Sequence, residues 1–136
     1  MKILLSILMA AMMSTSLFAA DKLHKAQLQS DMRLMLNSLV DVQRAGFYNY
    51  KDGLLVSIKN LKAGLKSLKS TDAKSYLPKD HKNADRFAKK RVSMIEMYAD
   101  DLSASVEDGN MDDAFDDFVL LQRQCTSCHI RLRKDF

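Results

Sequence analysis

Apolar residues recur at intervals of three and four through nearly the whole chain, in four runs separated by short breaks. No stretch alternates as a half-buried strand does. With one proline and four glycines in 136 residues, little interrupts the runs. The spacing predicts an all-α protein, because each run makes an apolar stripe that has to be buried against another helix.

The first run, roughly residues 22 to 45, carries Leu28, Met32, Met35, Leu39 and Val42, with Gly46 as its stop and Phe47-Tyr48-Asn49-Tyr50 as the turn. The second, roughly 51 to 69, carries Leu54, Ile58, Leu61, Leu65 and Leu68. Ser70 to Pro78 is the longest connection, with a proline where a helix does not continue. The third, roughly 79 to 107, offers Ala84, Phe87, Arg91, Met94, Tyr98 and Leu102, widened by Val92, Ile95 and Val106, and stops at Gly109. Asn110 reads as the N-cap of the fourth, and Asp112 and Asp113 follow in its first turn, where the positive end of the helix dipole favours acids. Its stripe is Phe115, Phe118, Leu121, Cys125, Cys128 and Leu132. Four helices with short links predict a single-domain antiparallel up-down-up-down four-helix bundle, an architecture that holds cofactors between facing helices.

The last stripe contains Cys125-Thr126-Ser127-Cys128-His129, the C-x-x-C-H pattern through which a c-type haem is attached. On a helix, residues three and four apart share a face, so two thioether-forming thiols and an imidazole one turn beyond Cys125 would meet one porphyrin from one side. The same atoms could make a redox disulfide or half of a zinc site. A zinc site would need further donors nearby. Both cysteines of the chain are in the motif, and the other histidines, His24 and His81, are far away in sequence. The expected cofactor is therefore one haem c, bound through Cys125 and Cys128 with His129 on the iron.

Residues 1–20 begin with Lys2, continue through an apolar core from Ile3 to Met13 and end in Ser-Leu-Phe-Ala-Ala before Asp21. That is the pattern of a secretory signal peptide, with cleavage expected after Ala19 or Ala20; the apolar run is short for a membrane anchor. Residues 21–136 are then expected to form the haem-bearing domain, exported to the periplasm, with no membrane span after cleavage. The chain holds 21 Lys+Arg and 17 Asp+Glu, a formal net charge of +4, and loss of Lys2 leaves 20 against 17, or +3. Two haem propionates would bring this near about +1, which argues against nucleic acid as a partner.

Helix rise narrows the choice of ligand on the other side of the iron. In an antiparallel bundle the end of the fourth helix lies beside the start of the first. His129 then stands roughly 10 Å up the bundle and Met32 roughly 15 Å, at about 1.5 Å per residue. Met35 is one turn farther in and second choice. Methionine at helical spacing is more often core filler, and His24 is a competing strong ligand.

With these residues in place the chain resembles the cytochrome c prime family. Members carry C-x-x-C-H in the last helix, followed by an apolar or aromatic residue and an arginine, here Leu132 and Arg133. The family's first helix often reads R-Q-x-x-M, and this chain has Leu28-Gln29-Ser30-Asp31-Met32. The resemblance implies Met32 as sixth ligand, as in the low-spin branch, and Arg133 as a cofactor-binding residue. Leu28 stands where relatives carry an arginine near a propionate, which leaves the propionate contacts of this chain unassigned. Relatives are often homodimers through helices 1 and 2.

A haem iron with His and Met on both axial sites has no place for substrate, and the thioether ligand favours the ferrous state. The expected function is one-electron transport, not enzymatic catalysis; the alternative is a five-coordinate protein that binds NO or CO. No Lys or Arg occurs between Val92 and Gln122, a stretch holding nine acids. The predicted haem end collects Lys22, Lys25, Lys74, Lys79, Lys82, Arg86, Arg131, Arg133 and Lys134. This asymmetry points to an acidic redox partner protein steered to the basic end. The Lys59, Lys62, Lys66 and Lys69 stripe reads as a solvated helix face.

Overall fold

In a computed structural model, which describes residues 2–78 and 82–132 and the side chains from Lys22 onward, the chain is all-helical. The described residues form α1 (Lys2–Phe47), α2 (Lys51–Ser70), α3 (Ala84–Glu107) and α4 (Met111–Leu132), with a 3-10 turn, Ala73–Ser75, between α2 and α3. Among them there is no strand, and no helix is long and apolar enough to cross a membrane. The side chains of the expected leader, Lys79, Asp80, His81, Arg133 and Lys134 lie outside the described residues.

The helix ends follow from local chemistry. Gly109 adopts φ 76° and closes α3: its N–H donates to the Val106 carbonyl at 3.2 Å, and that of Asn110 reaches Ser105 at 2.9 Å. This pair of bonds is the Schellman cap that a left-handed glycine allows. The same pair ends α1, but with Asn49 (φ 50°) in the glycine's role, its N–H bonded to Gly46 and that of Tyr50 to Ala45. Gly46 is therefore inside the helix and not its stop. Asn110 caps α4 as expected, its Oδ1 accepting from the Asp113 N–H at 3.3 Å. The third helix begins at Ala84, the first residue of its apolar stripe and not near residue 79, because Asn83 at φ 61° cannot continue a right-handed helix.

The stripe of α2 is buried as read from the spacing, with Leu54, Ile58, Leu61 and Leu65 at most 3 % exposed. Elsewhere the stripes are rotated. On α3 the buried centre is Ala88, Val92, Ile95, Ala99, Leu102 and Val106, while Phe87, Arg91, Met94 and Tyr98 flank it, half-buried. On α4 the run of fours and threes starts at Ala114; Phe115, one residue later and thus about 100° round the helix, is 63 % exposed. On α1 the centre is Asp31, Met35, Ser38, Val42 and Ala45, two of them polar.

Contacts between consecutive helices run in reversed chain order. Asp31 and Met35 of α1 meet Ser67 and Gly64 of α2. Lys51, Lys62 and Lys69 of α2 reach Glu107, Asp100 and Glu96 of α3. Arg91 and Ser105 of α3 bond Gln124 and Asp117 of α4. Half of the lysine stripe on α2 is thus paired across a seam and not merely solvated, although such exposed pairs add little stability. All four helices converge on a cavity of about 210 Å³ lined by Val42, Leu54, Leu102, Met111, Ala114 and Phe118.

Candidate functional site

Cys125 and Cys128 both lie on α4, half-buried, with His129 exposed one turn beyond Cys125. Their place follows from the stripe: Leu121 is fully buried and Gln124 nearly so, and Cys125 and Cys128 continue that side of the helix toward its C-terminal end. Cys125 packs against the main core, which includes Met35, Leu65, Ile95 and Leu121. Its thiol donates to the Leu121 carbonyl at 3.7 Å.

Burial pushes the free Cys125 thiol up to about 11, with the neighbouring Cys128 adding to the shift and a hydrogen bond from its own backbone N–H opposing it. Burial also raises Cys128, partly offset by the guanidinium groups of Arg91 and Arg131. Thiols of disulfide oxidoreductases are shifted the other way, at the positive N-terminal end of a helix. This pair sits in the last third of α4, where the dipole disfavours a thiolate. The arrangement suits thiols that are covalently capped better than a dithiol that must ionise. Among the described residues no three His, Cys, Asp or Glu side chains gather as a metal-ion site, so closed zinc coordination has no ligand set there.

Two features near the motif escape the apolar spacing. Arg91 donates from Nη1 to Oε1 of the buried Gln124 at 2.6 Å, and its buried Nε has no hydrogen-bond partner among the described residues. The spacing put Arg91 on the inward stripe of the third helix, whereas it stands on the flank; its partner on α4 was not visible in the sequence. Phe87 carries a guanidinium from each neighbour, Arg91 at 5.3 Å and Arg131 at 4.4 Å from the ring centre. The Tyr76 hydroxyl, after the 3-10 turn, is raised to about 12 by burial first, then by Cys128, Asp85 and Asp72.

On α1, Met32 is half-buried and Met35 buried. Between α1 and α2, the Asp31 carboxylate accepts from the Ser67 hydroxyl and, at 2.8 Å, from Nε2 of Gln27. Met32 directly follows this anchored carboxylate. His24 is exposed on the same helix, and Arg133 lies outside the described residues. The donor set fits a covalently held haem: two thiols and an imidazole within five residues of one helix, with cationic groups and an orphaned guanidinium N–H beside them.

No family model matches this chain, and neither a curated protein nor a solved structure does.

Proposed function

We propose that this chain is a periplasmic, monohaem c-type cytochrome of the cytochrome c prime kind, which carries single electrons between partner proteins. The observation that carries this reading is the half-buried Cys125 and Cys128 pair on one side of α4, with His129 one turn past Cys125. The reversed order of contacts along successive helices supports the antiparallel up-down-up-down topology.

In this reading Cys125 and Cys128 hold the haem by thioethers, His129 ligates the iron from α4, and Met32 ligates it from α1. When bound, the haem supplies one-electron iron chemistry that no side chain here possesses. The protein's part is to hold both ligands through oxidation and reduction. Asp31, bonded to Ser67, restrains α1 at the level of Met32, and the core beneath Cys125 excludes water from that side of the motif. Arg133 follows the motif as a cofactor-binding residue. The exposed Lys22, Lys25, Lys74, Lys82, Arg86 and Arg131 supply the positive surface that draws in an acidic redox partner. Residues 1–20 direct export, and the exposed Leu36, Val40 and Val56 of α1 and α2 suit a homodimer contact.

Visible spectra of the purified protein, oxidised and reduced, with and without CO, test the reading. A covalently retained haem, a methionine-to-iron charge-transfer band lost in Met32→Ala, and no response to CO are the expected results. Ready CO binding by the reduced wild type assigns the five-coordinate, gas-binding form instead. A colourless protein whose mass equals its polypeptide overturns the reading. Reduction by an acidic partner should slow as ionic strength rises.

A further inference from the structure

Arg91 carries its charge inside the seam between α3 and α4. Its Nη1 is held by Oε1 of Gln124 at 2.6 Å, and its guanidinium lies over Phe87. Gln124 is 3 % exposed, stands beside Cys125 and precedes Cys128 by one turn. Its own amide donates to the Leu120 carbonyl at 3.1 Å, which leaves Oε1 turned to the arginine. Phe87, one turn earlier on α3, takes Arg131 of α4 on its ring. These contacts on α4, Gln124 on one side and Arg131 on the other, bracket Cys128 and bring Arg91 level with the motif.

No carboxylate pairs with Arg91 among the described residues; its partners are a neutral amide and an aromatic ring. A guanidinium stays protonated at any ordinary pH, and a charge that is half-buried is poorly screened by salt. An arginine needed only to brace two helices would be served better by an acid at position 124, because a bidentate arginine–carboxylate ion pair is stronger than one hydrogen bond to a neutral amide. The amide keeps the bond and leaves the field of the cation uncancelled.

We propose, resting on the haem reading above, that Arg91 is a built-in cation that biases the haem iron toward its reduced form and so raises the potential at which the protein exchanges its electron. Reduction of iron(III) to iron(II) adds one electron from the donor and removes one unit of positive charge from the site, with no proton required. A fixed positive charge close by disfavours the more positive state.

The test is an equilibrium redox titration of the haem-loaded protein, followed by its visible absorption, for wild type, Arg91→Gln, Arg91→Lys, Gln124→Glu and Lys90→Gln. Lys90 is exposed on the same helix and gives the same loss of charge at the surface. The midpoint potential should fall in Arg91→Gln and in Gln124→Glu, stay close to wild type in Arg91→Lys and Lys90→Gln, and keep the Arg91→Gln shift at high salt. If Arg91→Gln does not fold, Gln124→Glu decides alone, since it retains the arginine and sets an opposing charge beside it. An intact haem spectrum with an unchanged or higher potential in these variants overturns the proposal. A protein that attaches no haem overturns the parent reading and this one with it.

Discussion

Gly64 of α2 is the seat of Met35 of α1: a Cβ at position 64 would overlap Cγ of Met35 and stand 3.0 Å from the carbonyl oxygen of Asp31. The two helices approach closely here because one of them has no side chain. The Asp31 and Ser67 bond crosses the same seam about one turn away. Together they set how far α1 can slide or turn on α2, and Met32 lies between the two α1 contacts.

Gly64→Ala should therefore destabilise the protein by about 1–3 kcal/mol, the usual range for overfilling a packed seam, despite alanine's better helix propensity. Gly53→Ala makes the contrast. There the nearest atoms to the added Cβ belong to the ring of Tyr50, which is 58 % exposed and able to swing aside, so the substitution should be neutral or stabilising by up to about 1 kcal/mol. Urea unfolding of both variants beside wild type checks the difference in sign.

Asp31→Ala leaves the buried Ser67 hydroxyl without its acceptor, an expected loss of about 1–3 kcal/mol. Asp31→Asn keeps an acceptor oxygen and should lose less. If the chain carries haem with Met32 as ligand, as proposed, Asp31→Ala should also weaken the methionine-to-iron band while the haem stays attached. A band of wild-type strength in a destabilised variant would mean that this carboxylate plays no part in holding Met32.

Tyr76 makes stability depend on alkaline pH. Its folded value, about 12, lies above the ordinary 10.0, so the folded state holds the phenol proton more tightly than the unfolded chain does. The stabilisation is complete below pH 10 and is lost as pH rises toward 12. Urea midpoints measured from pH 9 to about 11.5 should fall more steeply in wild type than in Tyr76→Phe.

In the haem-free chain Cys125 should be a sluggish nucleophile near neutral pH. Burial holds the thiol protonated up to about 11, against an ordinary 9.0. Alkylation by iodoacetamide should be slow in the folded state and accelerate on unfolding in urea. Fast modification of the folded protein near neutral pH would favour an oxidoreductase-like dithiol.

Asn110→Ala removes the side-chain acceptor for the Asp113 N–H at the start of α4, with an expected cost of about 0.5–2 kcal/mol. On the proposed reading, haem attachment at the other end of that helix should be unaffected. Thermal unfolding and the haem-to-protein absorbance ratio report the two effects separately.

Much of the architecture was legible in the order of residues. The stripe on α2, the Gly109 stop and the Asn110 cap depend on spacing and backbone preference along a few consecutive residues, and each is found where the spacing and the turn residues put it. The placement of both cysteines on one side of α4 is equally local. Less was legible where an apolar stripe had more than one phase. On α3 the small residues Ala88 and Ala99 win the centre over Phe87, Arg91 and Tyr98, because a narrow helix seam selects small side chains and pushes long ones to its edges. On α4, Ala114 displaces Phe115 for the same reason. At Gly46 the glycine drew attention from Asn49, which supplies the left-handed turn.

Helix content, the cap chemistry and the thiol-thiol-imidazole cluster were written into the chain, since they rest on interactions within one turn or two of the same helix. The Gly64 seat for Met35, the Asp31 bond to Ser67 and the Arg91 bond to Gln124 came only from the packed molecule. Each joins residues more than 25 positions apart in the sequence. A period along one helix says which side turns inward, but not which side chain of a neighbour will stand within hydrogen-bond reach; that depends on the rotation and height of each helix against the next, which the close packing of the whole core decides.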